Sequence, residues 1–429
     1  MTLRWRYRLY HGGWRLHEVR RTLRVADAVL VLNRLEKAYV SALRDDETSV
    51  VVTAPLLGAG YASIPDATSE PRVLVAGGTQ WRKGGSDNAE VIRELGDRYA
   101  GVYAGITAHS PRPCVIEGAR LAREAKADLL VAVGGGSAID ATKVMLIALW
   151  QNATRTEDLD LYRSGKPKEG AAPPSEAIRP PPDAVRMIAV PTTLSAAEFN
   201  AFAGISDPRH GIKESFGHRL IVPQVIVLDP AATLATPMDL MLSTGLKAVD
   251  HAVERLCSHQ AHPFVLGTAT EALRLLARAL PAHRSRPDDM PTRLDLQFGM
   301  WLSIGAGTSG VGTGASHGIG HVLGAACHVP HGYTSCVMLP SVLRWNLPAN
   351  GERQKRVSEA FGKPEVPAAN LVAALVAELG LPRSLRDVGV GRERFAEIGA
   401  KSMHDRAVLN NPRPITRPEQ VVEILELAA

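Results

Sequence analysis

Residues 128–144, DLLVAVGGGSAIDATKV, decide the fold that we predict for this chain. An apolar run ends in three glycines and Ser137, and a helical apolar pattern begins directly after them. Such a strand-to-helix turn can bind an anion, because glycines let a phosphate approach the backbone and the first N–H groups of the helix favour negative charge. GGGS is not the GxGxxG fingerprint, however, and many glycine-rich turns bind nothing. Phosphate binding and an ordinary turn therefore stay about equally open at this point.

The sequence on both sides of this turn alternates between short apolar runs and helical stretches. Further strands are predicted at RVLVAGG (72–78), GVYAGI (101–106), RMIAVPTT (186–193) and QVIVLDP (224–230), and helices at 86–100, 111–127 and 138–151. This alternation predicts an α/β domain, over residues 51–230, with a parallel sheet covered on both faces. After Pro230 the strand signals stop, so residues 231–429 are predicted to form a mainly helical second domain.

Composition limits the class of protein. The 429 residues are 45% hydrophobic and 22% charged, which excludes wholesale disorder and predicts two domains with a sizeable core. No apolar run reaches the ~18 residues of a membrane span, and the basic start lacks the apolar stretch of a signal peptide. The four cysteines have neither the spacing of a disulfide framework nor that of a zinc site. We therefore expect a soluble cytoplasmic protein.

Residues 1–50 differ from the rest of the chain in charge. They hold ten Arg and Lys against six Asp and Glu, which accounts for +4 of the net charge of +5. Their apolar residues have roughly helical spacing, which is typical of a basic amphipathic helix. An appendage or a start codon assigned too far upstream is the favoured interpretation, and an arm for an acidic partner is the minority one. The remaining chain is nearly neutral, so neither nucleic acid nor a membrane is expected as a partner.

Hydroxyl side chains follow another predicted strand. PTTLSAAEF (191–199) places Thr192, Thr193 and Ser195 where the strand ends, and ligands of open α/β sheets bind at that edge. Hydroxyl residues are also common in ordinary turns and caps. Turn chemistry would be the better interpretation without the neighbouring glycine motif.

Histidines cluster in the helical half. Four of the fourteen, His317, His321, His328 and His331, lie within SHGIGHVLGAACHVPH. His251 lies in STGLKAVDHAVE, four residues after Lys247 and on the same face of a predicted helix. A single histidine is usually a satisfied core or surface residue. Several converging histidines indicate a metal site or a proton relay.

Taken together, these motifs resemble one family. GGGSAID, PTTLSAAEF, STGLKAVDHAVE and SHGIGHVLGAACHVPHG, in this order, resemble the iron-containing alcohol dehydrogenase superfamily. AGISD and PHGYTSCVMLPSVLRWN are most similar to its maleylacetate reductase branch. The resemblance covers about residues 55–429 and leaves the basic segment without a counterpart. It implies a Rossmann-like nicotinamide-binding domain followed by an all-α catalytic domain, the dehydroquinate synthase-like fold.

The resemblance also implies a cofactor site. Gly134, Gly135, Gly136 and Ser137 would bind the pyrophosphate of NADH or NADPH. Thr192, Thr193 and Ser195 would line its path. Selection against the 2′-phosphate usually depends on an acidic residue after a strand, and RVLVAGGTQW offers none. A strict preference for NADH is therefore not supported.

Position 247 departs from the superfamily pattern. Members that hold Fe²⁺ or Zn²⁺ use an Asp and three His, with the Asp four residues before the first His. Here the corresponding residues are Lys247 and His251, with His317 and His331 at the other two positions. An ammonium is no ligand and repels a divalent cation. Asp250 is about 100° away from His251 on a helix and is a poor substitute.

We therefore expect no metal; if one is bound, its ligands would be His251, His317 and His331. The maleylacetate reductase branch typically carries a basic residue at this position and is thought to work without metal. The predicted catalytic residues are Lys247, His251, His317, His321 and His331, which would stabilise charge on a keto- or enoyl-acid substrate and protonate it.

For maleylacetate, the product of reduction would be 3-oxoadipate, in aromatic catabolism. A homodimer is expected. An alcohol or carbonyl dehydrogenase with another substrate, a dehydroquinate synthase-like lyase and a non-catalytic binding protein remain as alternatives.

Overall fold

The computed structural model describes residues 50–53, 72–78, 96–164, 177–210, 212–308 and 310–429. The basic segment predicted over residues 1–50 lies outside them apart from its last residue, as does most of the helix predicted at 86–100. The helices and strands named below are those of the described residues.

A sheet of six strands forms the first half of the molecule. Its strands are β1 (Val50–Thr53), β2 (Val73–Gly78), β3 (Tyr99–Ile106), β4 (Leu129–Gly134), β5 (Arg186–Pro191) and β8 (Val225–Leu228). The order across the sheet is β1-β8-β5-β4-β2-β3. Five strands run parallel, and β1 pairs with β8 antiparallel at one edge. The predicted parallel sheet is confirmed, with an antiparallel edge strand that the alternation did not reveal.

Both faces of the sheet are buried. Leu74, Leu130 and Ile226 pack on one face with the helices α1 (Arg112–Glu124) and α2 (Gly136–Trp150). Val75 and Val131 pack in a second apolar cluster. Near-continuous Val and Leu runs are what a doubly covered parallel strand requires. The apolar run of residues 129–133 therefore becomes the central strand β4.

A separate hairpin, β6 (Phe202–Asp207) and β7 (Ile212–Gly217), stands beside α2. The sequence interpretation missed both strands. Exposed and buried side chains alternate along β7, but charged residues and glycine obscure the pattern. The hairpin matters for function because it carries Lys213.

The second half is helical, as predicted. Its helices are α3 (Met238–Cys257), α4 (Pro263–Ser285), α5 (Met290–Thr308), α6 (Ala315–Cys327), α7 (His331–Ala360), α8 (Ala368–Glu378), α9 (Phe395–Ser402), α10 (Arg406–Leu409) and α11 (Pro418–Leu427). One apolar core runs from the sheet into α3, α4 and α5. A second core lies among α6, α7 and α11.

This architecture confirms the predicted fold class, an α/β part followed by an all-α part. The domain bounds at residues 50, 230 and 429 stay predictions. All four cysteines are free thiols. Among the described helices, none combines the length and the apolar character needed to cross a bilayer.

Candidate active site

The glycine turn (residues 134–137) and the hydroxyl turn (residues 192–195) are in contact. β4 ends at Gly134, whose φ of 152° belongs to glycine, and α2 begins two residues later. A β carbon at Gly135 would lie 2.9 Å from Thr193 Cγ2, and one at Gly136 would lie 3.1 Å from Ser195 Oγ. Because both glycines lack side chains, the hydroxyl turn can approach the start of α2.

The same two turns leave hydroxyls without partners. Thr193 Oγ1 and Ser195 Oγ are buried, and neither has a hydrogen-bond partner among the described residues. Thr192 is held by its backbone, because its N–H donates to the Gly134 carbonyl at 3.0 Å and its carbonyl accepts from the Thr236 hydroxyl at 2.6 Å. The start of α2 adds N–H groups that have no acceptor within the helix. These unpaired donors fit the phosphates of a dinucleotide.

Lys143 on α2 fixes the hydroxyl turn in place. Its buried Nζ donates to the carbonyls of Ala197 and Asn200, both at 2.6 Å, and to that of Phe202 at 3.0 Å. Burial lowers the pKa of Lys143 to about 8. The Leu194 N–H donates to Thr244 Oγ1 on α3 at 3.2 Å. The predicted cofactor turn is thus tied to the helix that carries Lys247.

Lys247 on α3 interacts electrostatically with charged groups of both halves of the molecule. It is half-buried, and it forms no ion pair or hydrogen bond with the part of the chain that the structure describes. Burial, and then the positive charge of Lys213 on β7, lower the pKa of Lys247 to about 8, while the charge of Asp140 acts in the opposite direction. Two ammonium groups that act on the same space produce a positive field that favours an anionic ligand.

His251 and His317 pack against each other. Both are buried, and their rings are nearly parallel with centroids 4.6 Å apart. His317 Nδ1 lies 2.8 Å from Glu254 Oε2, and burial lowers the pKa of His317 to about 4. His317 is therefore neutral near pH 7, with Nδ1–H donated to the carboxylate. Its Nε2 is buried and has no hydrogen-bond partner among the described residues.

Two carboxyl groups lie beneath these rings: Glu254, which the sequence interpretation missed, and Asp250, which it considered only as a poor substitute ligand. Glu254 accepts the N–H groups of Gly314 and Ser316 at 2.8 and 2.7 Å, which anchors the start of α6. Asp250 accepts the Ser316 hydroxyl at 2.8 Å and lies 3.5 Å from His317 Nδ1. Burial, followed by the Glu254 charge, raises the pKa of Asp250 well above its usual range. Their signal was helical spacing, since positions 247, 250 and 254 share one face of α3.

The other predicted histidines divide into three cases. His321 follows His317 by one turn, with ring centroids 6.3 Å apart, and 47% of its side chain is exposed. His331 is the first residue of α7, and its side chain lies outside the described part. His328 ends α6 in the left-handed conformation and is exposed. The structure thus brings Lys247, His251, His317 and His321 to one region.

Comparisons with known proteins give the family. The sequence profile described as iron-containing alcohol dehydrogenase matches residues 61–230, and that of the C-terminal part of the Fe-containing alcohol dehydrogenase family matches residues 241–429. A maleylacetate reductase of Sphingobium indicum is 32% identical over 342 residues, covering 79% of this chain and 84% of the relative. The dehydrogenase FUM7 of Gibberella moniliformis is 33% identical over 370 residues, covering 77% and 84%.

The crystal structure of a maleylacetate reductase from Agrobacterium tumefaciens superposes with a TM-score of 0.68 at 26% identity, covering 83% of this chain and 89% of that one. The chain therefore belongs to the iron-containing alcohol dehydrogenase family and is an NAD(P)-dependent oxidoreductase. Within the family it is close to the maleylacetate reductase branch, as the sequence motifs predicted.

Proposed function

We propose that this protein is a metal-independent NAD(P)H-dependent reductase of maleylacetate, in which Lys247 supplies the positive charge of the site. The observation that carries the proposal is the half-buried ammonium beside His251 and His317, with no carboxylate paired to it among the described residues. The maleylacetate reductases among the relatives support the substrate.

The residues present do not fit the Asp-and-three-His metal site. The amine of Lys247 replaces the carboxylate, and its charge acts on His317. Asp250, Glu254 and His317 have ligand atoms within 4.8 Å of one another. Glu254, however, already accepts two N–H groups of α6 and the His317 Nδ1–H. We therefore assign no reaction step to a metal.

The cofactor residues are proposed on the contacts of the two turns. Residues 134–137 would bind the pyrophosphate at the start of α2, and Thr193 and Ser195 would donate their unpaired hydroxyls to it. When bound, the reduced nicotinamide supplies a hydride. Lys143 and Thr244 would position the cofactor indirectly, because their hydrogen bonds fix the hydroxyl turn between α2 and α3.

Lys247 would act on the substrate. Hydride addition to a carbon–carbon double bond conjugated to a ketone places negative charge on the ketone oxygen, and protonation of the neighbouring carbon completes the reduction. An ammonium in a half-buried site stabilises that charge more than it would in water. The nearby Lys213 charge suits a substrate with two carboxylates.

A substrate screen tests this function. Purified full-length protein is mixed with NADH or NADPH and with maleylacetate, other keto- and enoyl-acids, or simple aldehydes, and the loss of nicotinamide absorbance is followed. Turnover of maleylacetate above all other compounds is expected. Efficient turnover of simple aldehydes, with none of maleylacetate, would identify a dehydrogenase of another substrate.

Metal analysis tests the second part of the proposal. Activity should survive a chelator, and iron and zinc should be far below one per chain. Lys247→Asp restores the family's carboxylate and should gain affinity for a divalent metal, measured by calorimetry. Near-stoichiometric metal in the wild type, lost with activity on chelation, would overturn metal independence. The homodimer and the cytoplasmic location stay predictions.

A further inference from the structure

One hydrogen-bonded pair at the site has no role in the reduction proposed above. His321 Nδ1 on α6 lies 2.9 Å from Asp405 Oδ2, which belongs to the turn before α10. The two residues are 84 positions apart in the chain, so only the tertiary fold brings them together. Asp405 is less exposed than His321, at 23% against 47% of the side chain.

The fold fixes this pair from both sides. The other oxygen of Asp405, Oδ1, accepts the Ala407 N–H at 2.8 Å and so caps the start of α10. Gly318 on α6 faces the same turn, and a β carbon there would lie 2.7 Å from the Val408 backbone nitrogen and 3.2 Å from Asp405 Oδ1. Glycine at position 318 thus permits the approach of α6 and α10 that puts the carboxylate against the imidazole.

The three described histidines of the site differ in their access to protons. His251 and His317 are buried, and His317 Nδ1 lies 2.8 Å from Glu254 Oε2. A group that protonates substrate in every turnover must be recharged from solvent. Of these three side chains, His321 is the exposed one, and its ring contacts that of His317.

From this geometry we propose that Asp405 is a positioning residue that holds His321 with Nδ1–H toward the carboxylate, so that Nε2 delivers the proton to the reduced substrate. The inference rests on the proposed reductase function. A carboxylate behind an imidazole fixes the ring orientation and the tautomer, and it stabilises the imidazolium from which the proton leaves. The proton passes from Nε2 to the substrate carbon, and water returns one to the ring.

Asp405→Asn tests the role with little structural change, because Asn is also a good helix cap. Its amide NH₂ would face Nδ1 and favour the other tautomer. We expect kcat to fall about 10- to 100-fold with KM changed less than about twofold. His321→Gln should lose about 100-fold or more. The double variant should be no slower than His321→Gln alone, because Asp405 acts only through that ring.

Asp387→Asn is the matched control. Asp387 also accepts backbone N–H groups in an exposed turn, from Arg383 and Ser384, and should leave kcat unchanged. Additive losses in the double variant would show that Asp405 is a structural residue only. Unchanged kcat in Asp405→Asn would overturn the inference as well.

The tautomer itself is measurable without turnover. Nitrogen-15 NMR of labelled histidine, recorded at a pH where the ring of His321 is neutral, should show Nδ1 protonated in the wild type and no longer so in Asp405→Asn. The same tautomer in both proteins would contradict the positioning role. A wild type that oxidises neither NADH nor NADPH with any keto- or enoyl-acid would instead overturn the reductase function, and the NMR result would still decide whether Asp405 holds the ring.

Discussion

Arg112 and Lys247 are both cations withdrawn from water, yet their surroundings are opposite. The Arg112 guanidinium is fully buried and bonds Glu214 at 2.8 Å and Asp160 at 2.6 Å, with Asp207 at 3.8 Å. Arg163 and Arg209 complete this Arg112 network, which joins the start of α1 to the β6–β7 hairpin. Lys247 has no such partners among the residues that the structure describes.

This difference indicates that Arg112 stabilises the fold, whereas Lys247 is available to bind an anionic ligand. In the Arg112 network each carboxylate is matched, and the hydrogen bonds of Arg209 hold the pKa of Asp207 below its usual range. Around Lys247 the pKa values of Lys247 and Asp250 are displaced toward the neutral form by burial. Displaced pKa values in a cleft are typical of functional sites.

Arg112→Met should cost about 3–5 kcal/mol of unfolding free energy, because Glu214 and Asp207 would remain buried without a counter-charge. Chemical denaturation measures the loss. The control is Arg120→Met, which removes exposed ion pairs to Glu117 and Glu124 and should cost less than about 1 kcal/mol. Equal losses of unfolding free energy in the two variants would show that the buried Arg112 network stabilises the fold no more than the exposed ion pairs do.

Lys247→Met should behave in the opposite way. Turnover should fall by roughly two to three orders of magnitude, the usual cost of one charge-stabilising donor, while the unfolding free energy does not fall. Lys247→Arg should be milder, since the charge remains. Steady-state kinetics and denaturation on the same samples check both statements. Wild-type kinetics in Lys247→Met would show that this face of α3 does not line the site.

The pH dependence follows from the direction of the Lys247 shift. Its pKa is lowered to about 8, so the ammonium is present below that pH and is lost above it. We expect kcat/KM to fall about tenfold per pH unit above pH 8. Lys247→Arg should lack this decline, because a guanidinium stays charged. A wild-type profile that stays flat to pH 10 would contradict the assignment.

Thr193→Val should have the smallest effect. It removes a buried hydroxyl that has no described partner, so stability should rise or stay level, while nicotinamide affinity falls about fivefold, or about 1 kcal/mol. Thr142→Val is the matched control, because that buried hydroxyl already donates to the Ala138 carbonyl at 2.8 Å. It should lower stability by about 1 kcal/mol and leave cofactor binding, measured by fluorescence titration, unchanged.

The amino-acid sequence was sufficient to predict the fold class, the order of the main strands and helices along the chain, and the family to which the motifs belong. Those features are local: the apolar run at 129–133, the glycines after it and the helical spacing of Lys247 and His251 are all short-range patterns. The hairpin β6–β7 was missed because its charged residues and glycine obscure the alternation of a strand.

The pairing of the site residues, in contrast, depends on tertiary contacts. Glu254 lies behind His317, and Asp405 lies behind His321, although 63 and 84 positions separate the members of these pairs. The local sequence does not identify such partners, because it does not show whether a carboxylate contacts solvent, a helix N–H or an imidazole. The burial of a carboxylate and its hydrogen-bond partner determine its charge, and both are set by the packing of α3, α6 and α10.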